Sequence, residues 1–113
     1  MKILTETLLL KELKEIAAGT FRNMVKAVVD IDRQLMAVDA ELHSDLEALL
    51  LEDGSKQESL WGINLYPEMP QDEFIEFDSL INMRPSHGNN SRSVDNAEIR
   101  KKIIDVVAQK IKR

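Results

Sequence analysis

Cysteine is absent from these 113 residues. That excludes disulfides, thiolate nucleophiles, and zinc or iron–sulfur centres held by Cys. Long apolar runs are also absent: none approaches the ~20 residues that a membrane-spanning helix needs. The opening stretch Met1-Lys-Ile-Leu-Thr-Glu6 lacks a signal-peptide pattern, because Glu6, Lys11 and Glu12 break the apolar run early. The expected setting is the cytoplasm, with no membrane partner. Internal repeats and low-complexity segments are missing too, as are a Walker loop, a dinucleotide fingerprint and a Gly-x-Ser-x-Gly elbow.

What is present suits one α+β domain over residues 1–113. Apolar residues make up 43% and charged residues 31% of the chain, ordinary values for a globular domain with its own core. Charge is unevenly spread. Residues 1–83 hold 7 Lys and Arg against 17 Asp and Glu, whereas residues 84–113 hold 8 against 3. An acidic body argues against extended nucleic-acid binding, whose affinity comes from neutralising phosphates. A local basic end can still take a small anion, or simply dock on the acidic body.

Periodicity predicts a short edge strand over Met1–Thr5 and a helix over about 8–18, where Leu9, Leu10, Leu13, Ile16 and Ala17 recur at helical spacing. The β-branched run Met24-Val-Lys-Ala-Val-Val-Asp-Ile31 and the run Arg33–Val38 predict an antiparallel hairpin, although its turn has no Asn-Gly or Asp-Gly. Ser44-Asp-Leu-Glu47 has capping-box spacing and predicts a helix over about 44–52. Leu60–Tyr66 and Phe74–Arg84 read as a second hairpin, and Asp95-Asn-Ala-Glu98 as the start of a final helix. The order (β)αββαββα implies a mostly antiparallel sheet of four to five strands with about three helices on one face, a two-layer domain.

Strand alternation places Trp61, Ile63 and Leu65 on the covered side of that hairpin. Asn64, Tyr66, Asn82 and Arg84 fall on an open face, continuous with the loop Pro85–Arg92. Asn is disfavoured in strands and suits amide recognition, while Arg offers a fork for phosphate or carboxylate. Gly88 and the pair Asn89-Asn90 expose backbone N–H groups, with Arg84 and Arg92 on either side and a helix start behind. The ligand-binding candidates are Asn64, Tyr66, Asn82, Arg84, His87, Asn89, Asn90 and Arg92, for a small anionic, phosphate-bearing ligand. The plainer alternative is a solvated sheet face and a turn-rich loop.

Asp39, Glu41, His43 and Asp45 alternate, which in an extended chain aligns four metal-capable groups. A helix starting at Ser44 spoils that alignment and leaves Glu41, His43 and Glu47 as the metal candidates; helix-start acids beside a surface histidine are the preferred reading. His43 and His87, the only histidines, are the catalytic candidates for phosphodiester hydrolysis, with Arg84 or Lys56 stabilising developing charge. No cofactor is identified. The rival class is a structural protein forming a homo-oligomer or partner complex, with the Trp61 hairpin and an exposed Leu80 as its surface.

The stretches Met24–Ile31, Glu41–Asp45 with Leu49–Gln57, Leu60-Trp-Gly-Ile-Asn-Leu-Tyr-Pro67 and Asn82-Met-Arg-Pro-Ser-His-Gly-Asn-Asn-Ser-Arg92 resemble a small prokaryotic single-domain family of unknown function. The resemblance implies a standalone domain of about this length and carries no catalytic role.

Overall fold

The computed structural model describes residues 1–113. In chain order, β1 (Lys2–Leu4) and β2 (Leu8–Leu9) precede α1 (Leu10–Gly19), then β3 (Val25–Asp30), β4 (Leu35–Val38) and α2 (His43–Glu52). Next come β5 (Leu60–Leu65), β6 (Ile75–Glu76), α3 (Ala97–Lys110) and β7 (Ile111–Lys112). The main sheet has five strands, all antiparallel, in the order β1-β4-β3-β5-β6, and β2 and β7 form a separate parallel pair. The fold is α+β, with five strands in the main sheet and three helices as the periodicity implies; the β2–β7 pair is additional. No helix is long and apolar enough to cross a membrane.

The layering differs from the expectation of helices on one face. Val25, Ala27 and Val29 of β3 and Trp61, Ile63 and Leu65 of β5 share a core with Leu13 of α1 and Ile103, Val106 and Val107 of α3. On the opposite face Val28, Ala37 and Leu60 pack on Leu46 and Leu50 of α2. The sheet is therefore covered from both sides. Its central strands carry apolar residues at both phases, as strands buried on two faces must.

The β3–β4 turn holds without the usual hairpin residues because Asp30 supplies the missing geometry. Its buried carboxylate accepts the N–H groups of Asp32 and Arg33, each at 2.9 Å, and the Ser55 hydroxyl at 2.6 Å. Helix starts also differ from the capping patterns. α2 begins at His43 with Leu42 before it and no side-chain cap, and α3 is capped by Asn96, not Asp95.

The predicted strand over Phe74–Arg84 is reduced to two residues. Only Ile75 and Glu76 pair with β5, opposite Leu65 and Asn64. The chain then leaves the sheet, and a 3-10 turn over Leu80–Asn82 folds back across Gly62. A Cβ at Gly62 would stand 2.6 Å from both Cβ and Oγ of Ser79, so only glycine admits this approach. At that point the Asn82 side chain takes the place of a strand. Its Oδ1 accepts Gly62 N–H at 2.8 Å, and its Nδ2 donates to Gly62 O at 2.9 Å and to Arg92 O at 3.0 Å.

Candidate functional site

The second covered face changes what the polar residues of the 60–92 region do. Asn64 is only 6% exposed. Its Nδ2 donates to Glu76 Oε1 at 2.8 Å, and its Oδ1 is buried without a partner. Tyr66 donates to the same Glu76 oxygen at 3.0 Å, and loss of hydration, then this carboxylate, raise its hydroxyl pKa above the ordinary value. Asn89 is buried: Nδ2 reaches the carbonyls of Asn82, Ser91 and Ser93 at 2.7, 3.1 and 2.8 Å, and Oδ1 accepts Asp95 N–H at 2.8 Å. Asn82 and Asn89 thus act as internal scaffolding that holds the loop in shape.

The loop's N–H groups are largely engaged as well. Gly88, in the left-handed region at φ 82°, donates to Pro85 O at 3.1 Å. Arg84 and Asn89 exchange two backbone bonds as an isolated bridge. Asn90 is exposed, and its N–H donates to Asp95 Oδ2 at 3.1 Å. Arg92 is paired with Asp78 at 2.8 Å.

The largest cleft, about 670 Å³, lies beside this loop, outside the predicted sheet face. Glu47 of α2 and the polar turn Lys56-Gln57-Glu58 form one side. Leu80, Ile81 and Met83 supply apolar surface, and Arg84, Ser86 and His87 complete the wall. Of the predicted ligand-binding residues, the structure brings Arg84 and His87 together here. Asn64, Tyr66, Asn82, Asn89, Asn90 and Arg92 lie outside the lining. Glu47 enters as a cleft wall instead of a metal ligand, and the polar run at 56–58, nearly thirty residues from the loop, gives no sign in sequence that it folds against it.

Arg84 is the structural centre of this wall. It stacks over the Trp61 ring at 4.5 Å. Nε donates to Ile81 O at 3.2 Å, Nη1 to Glu58 O at 3.3 Å, and Nη2 to Leu60 O. Loss of hydration lowers its pKa from the ordinary value, and nearby Glu47 acts in the opposite sense. Trp61 itself is buried in the core and offers no partner surface, whereas Leu80 is 67% exposed.

His43 is buried, where a surface histidine was expected, because α2 lies on the sheet. Its Nε2 donates to Ile63 O at 2.8 Å. No group of three or more His, Asp or Glu side chains stands close enough to hold a metal ion. Desolvation lowers the His43 pKa below its ordinary 6.5; Lys26 and Arg92 add to this, while the Ile63 bond and Asp78 oppose it. The unfolded chain therefore binds a proton at a higher pH than the folded one. The contribution of His43 to stability is full above about pH 6.5 and is lost as the pH drops below it. Denaturant midpoints at pH 7.5 and 5 should differ for the wild-type chain, and the difference should shrink in His43→Gln.

Residues 2–110 match the family described as Protein of unknown function (DUF5674). The chain belongs to this family. No curated protein and no solved structure matches it. The DUF5674 match runs from β1 to the end of α3, so α2, the 56–58 turn and the 80–87 segment all lie inside the matched domain.

Proposed function

We propose that the protein binds a small anionic, phosphate-bearing ligand in the cleft between α2, the 56–58 turn and the 80–87 segment. The observation that carries this reading is the state of Arg84. Its guanidinium is half-buried, lies flat on Trp61 and is held by three carbonyl oxygens, yet it forms no ion pair with a carboxylate. Three of its five N–H bonds are used, which leaves two for a ligand oxygen. A partly desolvated cation with no carboxylate in ion-pair contact is stabilised by an incoming anion, and a planar fork matches phosphate. Lys56 lines the same cleft and adds positive charge, and His87 adds a ring nitrogen that can hydrogen-bond a ligand. The loop around Gly88 carries Arg84 and His87; the N–H groups of His87, Gly88 and Asn89 are spent within the turn.

Lys56 is the residue to test, because it is exposed and Arg84 also supports the fold. Calorimetric titration with inorganic phosphate and simple phosphate monoesters should show binding that weakens with added salt. Lys56→Ala should weaken it by about tenfold, the effect of one charge-assisted contact. Flat titrations with every phosphate, or equal affinity in Lys56→Ala, would remove this reading.

A further inference from the structure

The same cleft carries a second charge, and its arrangement says something about the ligand. Glu47 and Glu58 line it together with Lys56, Arg84 and His87. Oppositely charged side chains sharing a concave surface can close on one another as ion pairs, although exposed pairs gain little by it. Here they do not. The ion pairs of the protein join Met1 to Asp39, Lys14 to Glu68, Arg33 to Asp53 and Arg92 to Asp78, all outside the cleft. The side chains of Glu47, Lys56 and Glu58 make no hydrogen bond to another protein group, and the bond that Arg84 makes at Glu58 is to the backbone carbonyl.

The reason is visible in the scaffold. Arg84 is pinned to Trp61 and to three carbonyls, so it cannot swing towards Glu47. Glu47 is carried by α2, whose Leu46 and Leu50 are locked on the sheet. The cleft thus carries both signs of charge on one lining, with the Arg84 guanidinium held in place, Glu47 on a packed helix, and apolar surface from Leu80 and Met83 beside them.

Resting on the anion-binding reading above, we infer that the ligand is zwitterionic: a phosphate-type anion joined by a short chain to an ammonium or comparable N–H donor. The phosphate meets Arg84 and Lys56, and the donor meets Glu47 and Glu58. A purely anionic ligand would feel the two carboxylates as repulsion, whereas a zwitterion satisfies both poles.

The probes are aminoalkyl phosphates with two, three and four methylenes, each compared with the alkyl phosphate of the same length. At least one amine-bearing probe should bind about tenfold more tightly than its alkyl counterpart, as expected for a charge-assisted contact. In Glu47→Gln/Glu58→Gln that preference should collapse from both sides, with the amine probe weakening and the alkyl phosphate tightening as repulsion is removed. Equal binding of each pair in the wild-type protein overturns the zwitterion inference and leaves the anion site standing. A preference that survives in the double variant overturns it as well, because the donor is then read elsewhere. Failure of every probe and of inorganic phosphate removes both readings together.

Discussion

Replacing Asn82 with alanine should lower the thermal midpoint by roughly 10–20 °C. Asn82 has no exposed surface, and its amide bonds to both N–H and O of Gly62 and to Arg92 O. Alanine leaves one donor and two acceptors without a partner at the sheet margin, and each buried orphan costs about 1–3 kcal/mol. A loss on the order of 3 kcal/mol or more is a large share of the 5–15 kcal/mol typical of a single domain. The sharper variant is Asn82→Asp. It keeps an oxygen for Gly62 N–H but turns a second oxygen towards Gly62 O and Arg92 O, where Nδ2 now donates. The aspartate variant should therefore be no better than the alanine one in calorimetric melts at pH 7. Near-wild-type stability of Asn82→Asp would show that the amide is not standing in for a strand.

That residue also explains where reading the chain succeeds and where it stops. The α+β class follows from local pattern: Leu13 and Ala17, or Ile103 and Val107, recur at helical spacing, and β3 and β5 are dense in apolar and β-branched residues. The layering does not follow as directly: apolar residues at both phases of β3 fit two buried faces, but no local signal says which helix lies on which face. Ile75, Phe77, Ile81 and Met83 imitate one face of a strand, although only Ile75 lies in β6 and Ile81 belongs to the 3-10 turn over Leu80–Asn82. The asparagines mislead for a chemical reason. An amide is matched equally well to a ligand and to a peptide group, so residue type alone cannot separate Asn82 and Asn89, which hold backbone, from residues held open for binding. Arg84 and His87 are recoverable because the loop bearing them is local. Their counterparts Glu47, Lys56 and Glu58 depend on β5 pairing with β3, a contact between remote segments that no local signal reports.

Gly62 is where the packing of the 79–82 turn on β5 is most exposed to a single atom. Gly62→Ala should destabilise the protein by about 1–3 kcal/mol, the usual range for overpacking a closed interior. The added Cβ would lie 2.6 Å from Ser79 Cβ and Oγ and 3.2 Å from Ile81 Cγ1. A Cβ has no torsion with which to avoid its neighbour, so the 79–82 turn has to lift from β5. That movement loosens the Asn82 bonds to Gly62 and, through Ile81 O, one of the three carbonyls that hold Arg84. Ser79→Gly removes the obstructing atoms, at its own cost, because the Ser79 hydroxyl accepts Ile81 N–H at 3.3 Å. The cycle of Gly62→Ala, Ser79→Gly and the double variant should therefore be non-additive, with the double variant more stable than the sum of the single losses by roughly 1 kcal/mol or more. Strict additivity in denaturant melts would mean that the cost at Gly62 comes from β5 itself and not from the turn across it. Because the turn also presents Leu80, Met83 and Arg84 to the cleft, Gly62→Ala should weaken phosphate binding under conditions where the fold is still fully populated, and Ser79→Gly should restore part of it.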